Sequence, residues 1–447
     1  MVNIMECYAV KKLDKPSDIV ASVPGSKSMT NRALLMAAMA DGNTVLSGVQ
    51  FSEDANIFIK ALQDLGFIVS VDEMKREVSV CGAGGEIPNG DADIYVGSAG
   101  TAARFLTAFT AFSSGVYRLS SSEQMERRPM RELLVALEEI GAKYKWLGDE
   151  YSFPFEVSGI KRSDYCNIKK VPLNIDRSSQ FLSALLMTAP SAMEELTVEL
   201  TGTRSARSYV EMTEQMMKMF GHQGTRHVQV GDAHDGYLVR GGGYKAGKYQ
   251  IEPDVSAACY FYAAAAVTGG TAIVRNMRFD SLQGDMRFID VLKQMGCQVV
   301  WDNVSEDGNQ ELWVKGPKDG KLSAVKIDMS DFSDQALTLA AIAPYADAPV
   351  EISGIGHIRR QESDRMQVII TELARMGIHS EFIEDGNGIR IFPGEPKGAE
   401  IETYNDHRVA MSFALTGLRA DGVIIKNPDC CKKTFAEYFD IFEKAIY

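Results

Sequence analysis

Two cations stand at the predicted start of a helix, where their chemistry points to an anion. The segment "VPGSKSMTNRALLMAAMADG" from Val23 carries Lys27 and Arg32, and its Ala-, Leu- and Met-rich part predicts a helix from Met29 to Ala40. Cations are mildly unfavourable at the positive end of a helix dipole. Backbone N–H groups, hydroxyls and a cation at a helix start together form an anion site. We therefore expect an anion to bind there and to relieve charge that the unbound protein leaves uncompensated.

Other predicted helix starts carry the same kinds of groups. Polar residues precede apolar helices in "GSAGTAARFL" from Gly97, "RSSQFLSALLM" from Arg177 and "NDHRVAMSFAL" from Asn405. For one start alone, helix capping by the hydroxyls and Gly would be the simpler explanation. Together the groups predict a substrate with at least two anionic groups, phosphate and carboxylate. Further cations precede the amphipathic helices: Arg128, Arg365 and Lys433.

Two acids accompany these cations and suggest proton transfer. Asp334 lies in "FSDQALT" and Glu362 in "RQESDR". Two separately placed carboxylates are suited to accept and donate protons in one reaction. Each also has a structural alternative, because Asp334 could cap a helix and Glu362 could form an i,i+3 ion pair with Arg365.

The composition argues against several classes of partner and cofactor. The 447-residue chain has a net charge of −13, which disfavours nucleic acid or an anionic membrane as a partner. Its seven cysteines are scattered, without the spacing of a metal site, and indicate reduced thiols in a cytoplasmic protein. No Walker A, GxGxxG or HExxH motif occurs, so no nucleotide, nicotinamide or catalytic zinc is expected.

Six segments along the chain share one pattern, in which a polar start leads into a helix of small apolar residues. Besides the four above, they include "DVSAACYFYAAAAVTGG" from Asp254 and "SDQALTLAAIAPYADA" from Ser333. The starts lie roughly 70–80 residues apart, and each segment is followed by an amphipathic helix and short strand-like runs. We therefore predict six α/β repeats, three in each half of the chain.

The repeats also predict how helices and sheets are layered. A helix that is apolar nearly all round must be buried on every side. Three such helices packed together, with sheets outside, would form one α/β domain, and two such domains would meet at a cleft. The plainer alternative is that the pattern records only the alternation of helices and strands.

These motifs, in their order and spacing, resemble those of the EPSP synthase family of enolpyruvyl transferases. The resemblance extends from about Ser22 to Phe439 and includes "PGSKSMTNRALLMAA", "GSAGTAARFL", "RRPMREL", "SSQFLSALLM", "SYVEMT", "SDQALT", "QESDRM", "YNDHRVAMSFAL" and "KKTFAEYF". It implies two similar domains, residues 22–250 and residues 1–21 plus 251–447, with the active site in the cleft between them. Each domain would hold three βαβαββ units in an inside-out α/β barrel arrangement. The protein would be a cytoplasmic monomer that needs no metal or organic cofactor.

The resemblance further implies a reaction and the residues that carry it. The enolpyruvyl group of phosphoenolpyruvate would pass to the 5-hydroxyl of shikimate 3-phosphate, with release of phosphate, on the route to chorismate and aromatic amino acids. Asp334 would accept the hydroxyl proton, Glu362 would serve the methylene carbon, and Lys27 would contact both substrates. The residues expected to bind shikimate 3-phosphate are Lys27, Ser28, Arg32, Ser178, Ser179, Gln180, Tyr209, Asp334 and Gln361. Those expected to bind phosphoenolpyruvate are Lys27, Gly100, Arg128, Gln180, Arg365, Arg408 and Lys433.

One departure from the commonest family pattern concerns a charge in the expected site. Gln361 stands where Lys usually precedes Glu362. Gln forms hydrogen bonds but carries no charge, so one expected cation is missing. Arg359 or Arg360 would be left to compensate.

Three further departures concern uncharged contacts. Ser98 replaces a usual Asn, and Phe105 stands where Pro is common. Ala206 replaces the Ser expected three residues before Tyr209, which leaves the hydroxyl to Ser205 or Ser208.

Two rival functions are weighed against this interpretation. The sister enzyme that transfers enolpyruvyl to UDP-N-acetylglucosamine typically has a Cys ahead of an Arg-Pro pair. Here "SSEQMER", which leads to Arg128 and Pro129, contains no Cys. A non-catalytic scaffold that binds anionic metabolites would not need both acids, and Asp334 and Glu362 are present.

Overall fold

The chain forms two compact units, each with its own core. The computed structural model describes residues 6–160, 170–203, 207–230, 234–303 and 310–447. The central unit is Gly25–Ile251, and the terminal unit combines Met1–Pro24 with Glu252–Tyr447.

Helices and strands alternate in both units. The helices are α1 (Lys27–Met39), α2 (Glu53–Asp64), α3 (Gly100–Ala111), α4 (Glu123–Glu126), α5 (Arg131–Ile140), α6 (Gln180–Thr188), α7 (Arg207–Met219), α8 (Val255–Thr268), α9 (Arg287–Gln294), α10 (Ala336–Ile342), α11 (Arg365–Arg375), α12 (His407–Gly417) and α13 (Tyr438–Ile446). The strands are β1 (Cys7–Ala9), β2 (Asp18–Ala21), β3 (Ala40–Ser47), β4 (Ile68–Asp72), β5 (Glu77–Ala83), β6 (Asp91–Tyr95), β7 (Val116–Ser120), β8 (Lys143–Trp146), β9 (Phe155–Ser158), β10 (Lys170–Leu173), β11 (Glu195–Leu200), β12 (Thr225–Val230), β13 (His234–Arg240), β14 (Tyr244–Lys245), β15 (Lys248–Gln250), β16 (Thr271–Met277), β17 (Gln298–Asn303), β18 (Gln310–Lys315), β19 (Lys326–Asp328), β20 (Val350–Ser353), β21 (Ser380–Ile383), β22 (Gly388–Ile391), β23 (Glu400–Ile401) and β24 (Ile424–Lys426).

Five of the six sheets repeat one topology, and the sixth has three strands. In the central unit the strand orders are β14-β3-β5-β4, with β15 also on β3, then β6-β7-β9-β8 and β10-β11-β13-β12. In the terminal unit they are β17-β18-β16-β2, β19-β20-β22-β21 and β1-β24-β23. In a repeat, two parallel strands such as β6 and β7 are connected along the chain by a buried helix. An amphipathic helix follows, and antiparallel strands such as β8 and β9 come after it. In the part of the chain that the structure describes, each unit holds three repeats, as predicted.

The chain path completes a sheet in each unit. Strand β2 lies before the chain enters the central unit, and it pairs in parallel with β16, which follows the return. Likewise β15, near the end of the central unit, pairs in parallel with β3 near its start. In the terminal unit, β1 also pairs with β24, so two of its repeats and one repeat of the central unit are closed by segments far apart in sequence.

The apolar helices occupy the cores, as their composition predicts. Helices α1, α3 and α6 are buried along nearly their whole length in the central unit, and α8, α10 and α12 are buried in the terminal unit. Helix α3 packs on α1 and α6, while α8, α10 and α12 pack on one another. The amphipathic helices bury only one face. In α5 this face consists of Leu133, Leu134, Ala136, Leu137 and Ile140.

Helix α1 begins two residues earlier than the apolar pattern predicts. It spans Lys27–Met39, and Ala40 passes directly into β3. Lys27 is therefore the first helical residue. Among the described residues, none of the helices has the length and apolar character required to cross a bilayer.

Candidate active site

Arg32 is a deeply buried cation in α1, with only 2% of its surface exposed. Its Nε donates to Thr213 Oγ1 at 2.8 Å, Nη1 to Ser28 O at 3.0 Å and Nη2 to Ser183 Oγ at 3.3 Å. The guanidinium also lies 5.4 Å from the centre of the Phe105 ring. No carboxylate of the described residues forms an ion pair with it, and burial lowers its pKa to about 10. The Arg32 guanidinium is thus surrounded by uncharged hydroxyl and carbonyl groups and one aromatic ring. A bound anion would neutralise its charge.

Lys27 differs from Arg32 because its charge is paired. Its Nζ lies 3.1 Å from Oδ2 of Asp54, which is buried near the start of α2. The expected uncompensated charge at the start of α1 therefore applies to Arg32 and is wrong for Lys27. Ser28 is half-buried beside Lys27 and supplies the carbonyl that Arg32 contacts.

Gly100 begins α3 directly under two guanidinium groups. A Cβ at this position would lie 2.7 Å from both terminal nitrogens of Arg128 and 2.5 Å from Nη1 of Arg104. Arg128 Nη1 donates to Ser98 O at 3.3 Å. The absence of a side chain at Gly100 therefore allows Arg128 to lie at the start of this helix.

Arg104 ties the helix starts of the central unit together. This fully buried side chain donates to Gly100 O at 3.0 Å, to Pro129 O at 2.9 Å and to Gln180 Oε1 at 3.4 Å. It thereby links the first turn of α3, the segment that carries Arg128, and the first residue of α6.

The expected residues of α6 and α7 lie next to these groups. Ser178 Oγ accepts a hydrogen bond from the Gln180 N–H at 3.3 Å, and Ser179 is the residue that precedes α6. In α7, Tyr209 O accepts from Arg32 Nη2 at 3.5 Å. Ser205 and Ala206 lie outside the described residues, whereas Ser208 is buried in α7. The predicted central-unit residues thus gather at the starts of α1, α3, α6 and α7.

In the terminal unit, Arg365 is the centre of a charged network. Its Nε and Nη2 contact the two carboxylate oxygens of Asp406 at 2.8 and 3.1 Å. Nη2 also donates to Glu362 Oε2 at 2.9 Å, and Nη1 donates to Gln361 Oε1. Burial alone would lower the pKa of Arg365, but Asp406 and Glu362 raise it above the usual range.

Asp334 lies between two arginines in the same network. Its Oδ2 accepts from Arg408 Nη2 at 2.8 Å, and its Oδ1 lies 3.5 Å from Arg365 Nη1. Arg408 Nη1 also donates to Asp334 O at 3.2 Å. The residue stands in the 3-10 turn Ser333–Gln335, and the residue that caps α10 is Gln335. The alternative of Asp334 as a helix cap is therefore not what the structure contains.

Glu362 and Lys433 complete the network. Glu362 forms the i,i+3 pair with Arg365 that its spacing suggests, and its Oε1 also accepts from Lys433 Nζ at 3.4 Å. Arg359, one of the two arginines expected to compensate for the missing lysine, instead pairs with Asp364. Within the described residues, the network contains as many cations as acids: Arg365, Arg408 and Lys433 with Asp334, Glu362 and Asp406. An incoming anion would compete with these acids for the cations.

Three of the residues that hold these clusters together are not among the predicted substrate-binding or catalytic residues. They are Asp54, Arg104 and Asp406. Asp406 had a local signal, since it directly precedes a helix and its Oδ1 accepts from Arg408 N at 3.0 Å. Asp54 has no local signal that could assign it, because its partner Lys27 lies on another helix. Arg104 has one, since it stands with Gly100 at a polar helix start.

An α/β protein with cations and carboxylates gathered at buried helix starts belongs to the class of proteins that act on multiply charged anions. Its family follows from comparison. The family model for EPSP synthase (3-phosphoshikimate 1-carboxyvinyltransferase) matches residues 12–442, and the chain belongs to this family. Membership carries the family's activity, so the chain is an enolpyruvyl transferase of the shikimate pathway.

Individual relatives agree with this assignment. The chain is 42% identical over 440 residues to the 3-phosphoshikimate 1-carboxyvinyltransferase of Nostoc punctiforme, covering 98% of this chain and 99% of the relative. It is 36% identical over 435 residues to 3-phosphoshikimate 1-carboxyvinyltransferase 2 of Halalkalibacterium halodurans, covering 97% and 93%. Among solved structures, an EPSP synthase from Acinetobacter baumannii superposes with a TM-score of 0.78 at 25% identity, covering 99% of this chain and 98% of that one.

Proposed function

We propose that the central-unit and terminal-unit clusters act on one pair of substrates, shikimate 3-phosphate and phosphoenolpyruvate. The observation that carries this proposal is Arg32, whose buried charge has no carboxylate partner among the described residues. Arg32 and Lys27 would bind shikimate 3-phosphate together with the N–H groups at the start of α1. The other residues assigned to this substrate are Ser28, Ser178, Ser179, Gln180, Tyr209, Asp334 and Gln361.

Phosphoenolpyruvate would bind to the remaining cations. Arg128 beside Gly100 can form paired hydrogen bonds with a carboxylate or phosphate, as can Arg365 and Arg408. Lys433 and Lys27 would contribute point charges, and Gln180 a hydrogen bond. An anion that draws Arg365 and Lys433 away from Glu362 would also favour the protonated form of that acid.

The acids would then move protons in two stages. In the addition, Glu362 protonates the methylene carbon of phosphoenolpyruvate, Asp334 accepts the 5-hydroxyl proton, and the hydroxyl oxygen bonds to the central carbon. This gives a tetrahedral ketal phosphate. In the elimination, a methyl proton returns to Glu362 while the electrons of its C–H bond re-form the carbon–carbon double bond. The bond from the central carbon to the phosphate oxygen breaks, and the departing phosphate takes the proton held by Asp334. Lys27 would stabilise the charge on the departing phosphate.

A phosphate-release assay with three substrate mixtures tests this function. We expect phosphate release from phosphoenolpyruvate with shikimate 3-phosphate, and none with UDP-N-acetylglucosamine or with phosphoenolpyruvate alone. Mass spectrometry should show 5-enolpyruvylshikimate 3-phosphate as the product. Release with the UDP-sugar would favour the sister reaction, and binding of both ligands without turnover would favour a non-catalytic binder.

We further propose that the protein acts as a cytoplasmic monomer. The net charge of −13 does not suit an anionic membrane surface. Sedimentation equilibrium with and without both substrates measures the mass of the active species. A dimer mass throughout the active concentration range would contradict the proposal.

Replacing Gly100 by Ala is expected to raise the KM for phosphoenolpyruvate more than the KM for shikimate 3-phosphate. The new Cβ would displace the guanidinium groups 2.5 and 2.7 Å away. Losing one charge-assisted contact is worth about 1.5–3 kcal/mol, or roughly 10–100-fold in KM. Steady-state kinetics with each substrate varied in turn measures the effect. Gly90→Ala is the matched control, because a Cβ there meets nothing within 4 Å, and equal KM values for both variants would contradict the assignment.

A further inference from the structure

A second buried acid lies next to Asp334 and takes no part in the reaction proposed above. Asp285 belongs to the 3-10 turn Gly284–Met286, immediately before α9, and only 7% of its surface is exposed. Its Oδ2 accepts hydrogen bonds from Ser256 Oγ, in the first turn of α8, and from Gln335 Nε2 at 3.2 Å. It forms no ion pair with a cation of the described residues. A buried carboxylate without such a pair lowers the stability of the folded protein, so its presence points to a purpose other than stability.

Gln335 connects Asp285 to the candidate base. It is fully buried and directly follows Asp334, and its Oε1 accepts a hydrogen bond from Thr338 Oγ1 at 3.0 Å. Its own N–H donates to Phe332 O at 3.1 Å, which closes the turn that carries Asp334. Both ends of the Gln335 amide are therefore held, and one of its two partners is Asp285.

The two acids are also close enough to affect each other's charge. Burial and, next in size, the neighbouring Asp334 raise the pKa of Asp285 to about 6, against the opposing effects of Arg408 and two hydrogen bonds. Such an interaction is mutual, so the charge of Asp285 acts on Asp334 as well.

Other ionisable groups also face the pair, among them Tyr260 of α8, whose pKa is affected by Asp334. The Cys259 thiol of α8 donates to Asp285 O at 3.8 Å, and Arg408 of α12 contacts Asp334. On the other side of Asp334 lies Arg365 of α11, and His357 bonds to the adjacent Ser333 at 2.8 Å. Arg287, the first residue of α9, pairs with Asp331 instead.

We propose that Asp285 is a positioning residue for Asp334: it holds the Ser333–Gln335 turn through Gln335, and its negative charge keeps the Asp334 carboxylate competent as a base. Pairing with Arg408 and Arg365 weakens Asp334 as a proton acceptor, because opposite charges favour the ionised carboxylate. A like charge nearby counters that effect. The inference rests on the proposed role of Asp334.

The pH profile of Asp285→Asn tests the electrostatic part. The amide oxygen can accept both hydrogen bonds that Oδ2 accepts, so the change removes mainly the charge. In the wild type the charge of Asp285 is lost as the pH falls through about 6, which weakens Asp334 as a base and contributes to the acid limb of kcat, the fall of kcat at low pH. Asp285→Asn lacks this step, so its acid limb should lie about 0.5–1 pH unit lower. A weaker base should also lower the plateau of kcat by about 3–10-fold. The KM values should change less than kcat.

Two further variants sharpen the test. Combining Asp285→Asn with Gln335→Glu exchanges the acid and the amide, so the pair keeps its hydrogen bond and its charge, and the acid limb should return toward that of the wild type. Glu372→Gln is the matched control, because Glu372 is another buried acid of the terminal unit whose partners are Tyr404, Glu402 N and Arg375. The acid limb of kcat in Glu372→Gln should coincide with that of the wild type.

The melting temperature of Asp285→Asn is a second test, because a purely structural role of Asp285 predicts a lower melting temperature and a buried unpaired charge predicts a higher one. The pKa of Asp285 is raised on folding, so its ionised form destabilises the folded protein above about pH 6, and this penalty fades as the pH falls toward about 4. Asp285→Asn should therefore melt above the wild type near neutral pH, with the difference narrowing in acid.

The inference would be overturned if Asp285→Asn is folded and active and its acid limb of kcat coincides with that of the wild type. It would also be overturned if Asp285→Asn and the exchange variant both have a lower plateau of kcat and neither has a shifted acid limb. If Asp285→Asn does not fold, Ser256→Ala replaces it. That variant removes a hydrogen bond that favours the ionised form of Asp285, so Asp285 should lose its charge at higher pH. The acid limb should then move to higher pH, and an unmoved limb would again overturn the inference. Wild-type turnover of both substrates is the reference throughout, so a wrong proposed function would appear as absence of that reference activity.

Discussion

Replacing Asp334 by Asn is expected to lower kcat by about 10²–10⁴-fold, the usual contribution of a positioned general base. The side chain would keep its size and could still accept a hydrogen bond from Arg408, now at 2.8 Å. It would lose the ability to take the proton from the 5-hydroxyl. The KM for phosphoenolpyruvate should stay the same or fall, because Arg408 and Arg365 would no longer be shared with a carboxylate.

The measurement is steady-state phosphate release, with a thermal melt to show that the variant folds. Asp331→Asn is the matched control, because Asp331 lies three positions before Asp334 and pairs with an arginine, Arg287, at 2.6 Å. It should retain the kcat of the wild type. If Asp334→Asn keeps a kcat within about tenfold of the wild type, another group accepts the proton.

The repeats could be predicted because their signals are local. In α5 the apolar residues recur at helical spacing and Gly141 ends the helix in a left-handed conformation, with φ at 118°. In α8 every residue from Ala257 to Val267 is buried, as expected for a helix that is apolar all round. Neither feature depends on which element packs against it.

The contacts within the site could be predicted only in part, because they depend on tertiary packing. Cations at helix starts identify Arg32, Arg365 and Arg408 as anion-binding candidates. The same signal cannot show that Asp54 neutralises Lys27, because the two residues belong to different helices.

Gln361 shows how packing changes the meaning of a substitution. From the sequence it appears as a missing cation. In the structure its Oε1 accepts a hydrogen bond from Arg365, a role that a lysine ammonium cannot perform because it has no acceptor. Gln361 therefore supports Arg365 directly, and the network of the terminal unit stays balanced in charge.

Replacing Arg32 by Met is expected to raise the KM for shikimate 3-phosphate by about 100-fold or more, since the variant loses charge-assisted bonds to a phosphate, each worth about 1.5–3 kcal/mol. The unbound variant should melt at or above the temperature of the wild type. Replacing a buried charge by an apolar side chain of similar volume is often neutral or stabilising. Thr213 Oγ1 remains bonded to Ser183 at 3.0 Å and to Tyr209 O at 2.9 Å, so the change leaves these hydroxyls with partners.

The pH dependence of stability has a definite sign for this variant. Burial lowers the pKa of Arg32 to about 10, so the charged guanidinium penalises the folded state below that pH. As the pH rises through about 10, the folded wild type loses the proton before the unfolded chain does, and the penalty fades. The gap in unfolding free energy between Arg32→Met and the wild type should therefore be widest at neutral pH and should narrow above pH 10.

Thermal melts with and without shikimate 3-phosphate separate the two effects. The ligand should raise the melting temperature of the wild type, because it binds the folded state alone, and should raise that of Arg32→Met far less. Arg419→Met is the matched control: Arg419 also donates to carbonyls, Gly320 O at 2.8 Å and Val267 O at 3.3 Å, and lies 4.5 Å from the Tyr345 ring. It should lose stability and keep the ligand response. If Arg32→Met showed that pattern instead, Arg32 would be a structural cation, and the anion site would have to be sought elsewhere.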